Sequence, residues 1–144
     1  MLYSNILAAY DGSPHSKKAL DQAVKIIQAQ GAGALHVVVV ADIKPVDFGI
    51  SAASVYLRDQ AEDAKIKSED LLKDAKWQIP RDMKADFILQ AGSAGPAILK
   101  TAETVKADLI VIGSRGRSAV EGLLMGSVSS HVASRAACPV LVVK

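Results

Sequence analysis

Three glycines and two serines late in the chain have the spacing of a phosphate cradle. They stand as Gly113-Ser114-Arg115-Gly116, then nine residues, then Gly126-Ser127-Val128-Ser129. Glycine lets a backbone approach a ligand closely, because it has no Cβ to collide and tolerates positive φ. A helix opening at Ser127 offers unpaired N–H groups and a partial positive charge, which suit a phosphate. The hydroxyls of Ser127 and Ser129 are further donors. Arg115 and Arg117 lie on the same loop, placed either to neutralise a triphosphate or to face solvent.

The two better-known glycine fingerprints are absent, since neither G-x-x-x-x-G-K-[ST] nor a strand followed by G-x-G-x-x-G occurs. The spacing Gly-x2-Gly-x9-Gly-Ser should arise by accident in roughly one chain of this size in two hundred. The competing reading is a glycine-rich connection needed only for close helix–sheet packing. Other polar candidates are weaker. Ser118 and Glu121 have capping-box spacing, which makes Glu121 structural rather than a catalytic base. His15 falls in the first turn of a helix near the cleft, and His36 and His131 fall within a strand and a helix, where packing or surface roles are expected. No sequence-adjacent His/Asp/Glu cluster supports a dedicated metal site. Any Mg²⁺ is expected to arrive bound to phosphates.

The elements that position these residues are legible in the apolar pattern. Leu109–Ile112 is a short apolar run stopped by Gly113, as in a strand buried on both faces of a parallel sheet. Ile6–Tyr10 is the first strand, ended by Asp11-Gly12-Ser13-Pro14. Ser13 as N-cap and Pro14 at the first helical position start a helix with apolar residues Ala19, Leu20, Ala23, Val24 and Ile27, closed by Gly31. Asp11 itself suits an Asx-type turn before that helix.

Leu35–Ala41 is the second strand, and residues 43–53, with Pro45 and Gly49, read as a loop over the sheet's carboxyl edge. A long helix is expected from about Ser54 to Trp77, burying Leu57, Ala61, Ala64, Ser68, Leu71 and Ala75, with Pro80 closing it. Ala85–Gln90 is the third strand. Gly92-Ser93-Ala94-Gly95-Pro96 turns into a helix carrying Ile98, Leu99, Ala102 and Val105. After the cradle come a short helix with Val128 and Val132, a break at Cys138-Pro139 and a last strand, Val140–Val143.

Strands alternating with helices imply one doubly wound α/β domain with a parallel sheet and right-handed crossovers. In such sheets the ligand lies beyond the strands' carboxyl ends, where strand order reverses. A central first strand next to the fourth places Asp11 beside the Gly113 loop.

Composition bounds the alternatives. The chain has 144 residues, half of them hydrophobic, enough for one compact domain with a core. A net charge of +2 with scattered Lys and Arg and six aromatic residues gives no nucleic-acid footprint. One cysteine, Cys138, excludes an intramolecular disulfide. No basic region precedes the first apolar run and no run is long enough to span a membrane, so a cytoplasmic soluble protein is expected.

The glycine motif closely resembles the ATP-binding signature of the universal stress protein family, and the resemblance spans almost the whole chain, 1–144. Its landmarks are Asn5–Ser13, Gly31-Ala32 with the valine strand and Ala41-Asp42, Ala107–Gly116, and Cys138–Val143. The resemblance implies a five-stranded Rossmann-like fold of order 3-2-1-4-5, a homodimer and bound ATP. It puts Asp11 by the ribose and adenine, Ala9 near the base, and Ile112 under the base or ribose. It gives adenine recognition to the backbone of Val40, or of Val39 in an alternative register. Gly113 and Gly116 then frame ribose and phosphates, and Gly126, Ser127, Val128 and Ser129 form the phosphate-binding turn.

The function expected is that of a cytoplasmic ATP-binding stress-response or regulatory protein. A slow ATPase or phosphotransferase is the enzyme alternative. Fast phosphoryl transfer needs a placed base, a held metal and a cationic clamp, for which only Asp11, Arg115 and Arg117 are candidates. A ligand-free dimerisation module is the third reading. The final strand, Val140, Leu141, Val142 and Val143, is apolar on both faces yet sits at the sheet's edge, which points to a two-fold partner covering it.

Overall fold

The computed structural model describes residues 1–42, 52–116 and 125–144, with the side chains of all but 52–58. Five strands alternate with four helices: β1 (Asn5–Ala9), α1 (Pro14–Gln30), β2 (Ala34–Ala41), α2 (Ala52–Trp77), β3 (Ala85–Ala91), α3 (Ala94–Thr104), β4 (Leu109–Gly113), α4 (Ser127–Arg135) and β5 (Val140–Val143). All pairings are parallel, in the order β3-β2-β1-β4-β5. The expected order and fold class are therefore the observed ones. The loop expected over 43–53 lies outside the described residues as far as residue 51, and α2 is already helical at Ala52.

Alternation along the strands builds two cores. Ile6, Ala8, Tyr10, Leu35, Val37, Val39, Leu109 and Val111 face α1 and α2. Leu7, Ala9, Val38, Ile110 and Ile112 face α3 and α4. Because both faces are covered, β1 and β4 carry unbroken apolar runs. Helix α1 begins as expected, with Ser13 Oγ accepting from the Ser16 N–H at 3.2 Å, and ends at Gly31 with φ 74°. On α2 the expected apolar face is only partly buried. Ser68 and Ala75 are fully covered, while Ala61, Ala64 and Leu71 are half-buried. The helix ends at Trp77, ahead of Pro80. Val105 caps α3 rather than belonging to it.

Helix α2 is also held by a polar contact. Tyr10, just past β1, is 2% exposed, and its ring lies in the α1–α2 core. Its hydroxyl donates to the Asp74 carboxylate and accepts from Gln78 Nε2 at 2.6 Å. Burial, followed by the hydrogen bond and negative charge of Asp74, raises the Tyr10 phenol well above the ordinary range. The folded state thus favours the neutral phenol. Its stabilisation is whole below pH about 10 and is lost as pH rises toward the raised folded value. Ultraviolet titration should accordingly show one of the three tyrosines ionising late. Tyr10→Phe should delete that late component; deletion of an early one would contradict the assignment.

Candidate functional site

Strand order reverses between β1, which leads to β2 on one side, and β4, which leads to β5 on the other. Chain leaving the two strands diverges there, and a cleft of about 460 Å³ opens at their carboxyl ends. That volume falls within the range of small-molecule sites. Ala9, Val38, Val40, Ile112 and Ile98 of α3 give it an apolar floor, and all lie on the α3–α4 face of the sheet. Val40 lines the cleft, whereas Val39 is buried in the opposite core.

Eleven site residues expected from the sequence meet here. Ala9, Asp11, Val40, Ile112, Gly113, Arg115, Gly116, Gly126, Ser127, Val128 and Ser129 all line the cleft. Arg117 and the Ser118/Glu121 pair lie outside the described residues. Asp11 makes the Asx turn its type suggested, Oδ1 accepting from the Ser13 N–H at 2.9 Å. Its other carboxylate oxygen lies against the glycine loop, 2.8 Å from where a Gly116 β-carbon would sit.

The three motif glycines have different physical reasons. A β-carbon on Gly113 would lie 2.8 Å from the His15 carbonyl carbon and 2.9 Å from the Ser16 nitrogen, so α1 packs directly on this backbone. The packing reading therefore holds at Gly113, whatever else the residue does. At Gly126 the nearest atom to a β-carbon is the Ser114 oxygen at 3.4 Å, and φ is −75°. Nothing within the described fold demands glycine there.

Helix α4 presents its N-terminus to the cleft. The Gly126 N–H donates to the Ser114 carbonyl at 2.6 Å, fixing the helix to the glycine loop. No side chain among the described residues caps α4, unlike α1. Ser129, expected to offer its hydroxyl to phosphate, is buried and uses it internally. Its Oγ lies 3.0 Å from the Ser114 oxygen and 3.1 Å from that of Gly126. Its main-chain N–H remains at the helix opening.

Asp42, Tyr10, Ser16, Val38, Ala94, Ile98 and Met125 also line the cleft, though the site reading passed over them. Val38 follows from alternation two residues before Val40, and Asp42 closes β2 much as Asp11 follows β1. The histidines stay out of the lining. His15 backs Gly113, His131 packs against Gly95, and His36 lies near the amino end of β2, Nδ1 3.1 Å from Asp86. Among the described residues no three His, Cys, Asp or Glu side chains converge on a metal position, and no helix is long and apolar enough to cross a membrane.

A family model described as the universal stress protein family matches residues 2–144. A universal stress protein from Thermus aquaticus is 40% identical over 146 residues, covering 99% of this chain and all of the relative. Among solved structures, the universal stress protein UspA from Lactobacillus plantarum superposes with a TM-score of 0.83 at 24% identity, covering 100% of this chain and 99% of that one. A universal stress protein solved in complex with cAMP gives a TM-score of 0.64 at 28% identity, with 100% and 98% covered.

The glycine geometry separates fold from ligand. Gly113→Ala should cost about 1–3 kcal/mol by overpacking, whereas Gly126→Ala should cost under about 1 kcal/mol, the range of a changed helix cap. Urea unfolding of the two variants measures this, and the reverse ranking would refute the packing assignment.

Proposed function

The chain belongs to the universal stress protein family, and we propose that residues 1–144 form one domain of its ATP-binding branch, acting as a cytoplasmic nucleotide-dependent regulator. The observation that carries this reading is the meeting of Asp11, the Gly113 loop and the uncapped start of α4 around one apolar-floored cleft. Adenine lies on the floor beside the Val40 backbone, with Ala9 and Ile112 beneath base and ribose. Asp11 accepts from a ribose hydroxyl. The phosphates reach the Gly113–Gly116 loop and the N–H groups of Ser127, Val128 and Ser129, where the helix field favours negative charge.

Arg115 is the one cation among the described lining residues, against the carboxylates of Asp11 and Asp42. A triphosphate therefore enters with Mg²⁺ on its own oxygens, which lowers its charge before it meets those carboxylates. Support for the adenine part also comes from the relative solved with cAMP. Binding rather than turnover is the role. Asp11 is engaged in the Asx turn and against Gly116, not presented as a free base.

The reading includes a homodimer through β5. Val140–Val143 forms the sheet's edge beside β4, and Leu141 is 38% exposed. Ile110 N–H donates to the Pro139 carbonyl and Ser114 N–H to that of Val143. Residues on a parallel strand alternate in the side to which their peptide groups bond. Pro139, Leu141 and Val143 thus serve β4, while Val140 and Val142 turn their N–H and C=O groups to the open edge. A second β5 running antiparallel across a two-fold axis satisfies them.

ATP at a hundredfold excess over its Kd should stabilise the protein by about 2.7 kcal/mol, seen as a rise of several degrees in Tm. Gly126→Val places methyl groups in the phosphate path and should abolish that rise while remaining folded. Equal shifts in both proteins would sink the cradle assignment. For the dimer, light scattering after size exclusion should give twice the chain mass for wild type at micromolar concentration. Val142→Pro, which removes an outward donor and spares the ladder to β4, should yield monomer. A monomeric wild type would overturn the dimer, and a dimeric Val142→Pro would overturn its location at β5.

A further inference from the structure

We propose that Asp74 of α2 and Gln78, the residue that follows this helix, are positioning residues for the nucleotide cleft, acting through Tyr10 on the turn that presents Asp11. The inference rests on the nucleotide-binding reading. Tyr10 belongs to both sides of the sheet's carboxyl end: it lines the cleft, yet its ring descends into the α1–α2 core. There two groups four residues apart, Asp74 in the last turn of α2 and Gln78 just past its end, take its hydroxyl, Asp74 as acceptor and Gln78 Nε2 as donor at 2.6 Å, and Gln78 also reaches Asp74 at 3.3 Å. This pair fixes the depth of the ring.

The next residue is Asp11, so a displaced ring displaces the carboxylate. A second contact pins the same turn. Gly12, with φ 79°, lies so close beneath Leu71 that a β-carbon would approach Leu71 Cδ2 to 2.6 Å. The turn in turn sets the site. Asp11 Oδ1 accepts from the Ser13 N–H at 2.9 Å, the Asp11 N–H meets Ser16 Oγ at 3.3 Å, and Asp11 Oδ2 abuts Gly116. Asp74 and Gln78, neither of which lines the cleft, thereby hold the glycine loop at the distance a nucleotide requires. A core tyrosine serving packing alone needs a single partner for its hydroxyl. Two partners at the end of one helix, directly behind a site carboxylate, specify orientation as well.

The test compares Tyr10→Phe, Asp74→Ala and Asp74→Asn, the last retaining an acceptor for the hydroxyl. Two readouts are taken on protein shown to be folded by circular dichroism: ATP affinity by calorimetry with Mg²⁺ present, and hydrogen exchange of the Ser13 amide without nucleotide. Tyr10→Phe and Asp74→Ala should weaken ATP about three- to thirtyfold, the span of couplings carried by residues that do not touch ligand, and speed Ser13 exchange. Asp74→Asn should stay near wild type in both. Folded variants that lower Tm but keep wild-type affinity and wild-type Ser13 exchange would overturn the proposal, because the network would then be packing only. A wild type that binds no nucleotide would instead remove the proposed function, and Ser13 exchange alone would then decide whether α2 holds the turn.

Discussion

The first turn of α1 rests on the bare backbone of Gly113, and the rest of the site depends on that approach. A side chain there would collide with His15 and Ser16 and push α1 away from the end of β4. With α1 displaced, the Asp11 turn that feeds it would retreat from the Gly113–Gly116 loop, and the cleft would lose one wall. The contact joins residues about a hundred positions apart. It converts the reversal of strand order between β1 and β4 into a crevice with defined walls, where a different packing would leave a gap of arbitrary width.

Two of the helix starts that border this crevice are treated differently. Helix α1 is capped by its own chain, the Ser13 hydroxyl accepting from the Ser16 N–H. Helix α4 starts on Gly126 with no such cap among the described residues, and Ser129 gives its hydroxyl to the loop instead of to the helix opening. Unsatisfied N–H groups at a helix start need a partner from water or ligand. The cleft thus sets the apolar floor of Ala9, Val38, Val40 and Ile112 against the uncapped start of α4 beside the glycine loop. An adenine nucleotide has the same polarity, with a flat apolar base at one end and phosphates at the other.

The strands themselves, the Ser13 cap, the Gly31 stop and the glycine motif were legible in the sequence because each is local, whereas the strand order was implied by the family resemblance. A strand buried on both faces is a run of β-favouring residues wherever it occurs, and a cap is set by neighbours three residues away. Helix–sheet packing was one of the readings the glycines offered, but the partner of Gly113 was not legible, since His15 is distant in the chain. Gly126 looked like Gly113 as a letter, yet only Gly113 is compelled by the fold. The grip of Asp74 and Gln78 on Tyr10 gave no signal either, because polar side chains at the end of a helix read as solvent-facing until the Tyr10 ring is brought beneath them. Ser129 shows the opposite error. Its hydroxyl suited a phosphate by type, but burial against the Ser114 carbonyl made an internal bond the better use. The partly buried face of α2 packs on β2 and β3 at one side of the sheet, and its core contacts come from Leu71, Leu72 and Ala75 near its end.

The central claim is that the Asp11 turn, the glycine loop and the start of α4 act as one nucleotide receptor. The most direct measurement is backbone amide chemical-shift mapping by NMR on the isotope-labelled chain during titration with ATP and Mg²⁺. The account predicts saturable shifts concentrated at Asp11, Gly113, Gly116, Ser127, Val128 and Ser129, with the amino-end residues Asn5, Leu35 and Asp108 unmoved. A titration that moves none of those cleft amides, or moves a cluster elsewhere on the fold, would contradict it.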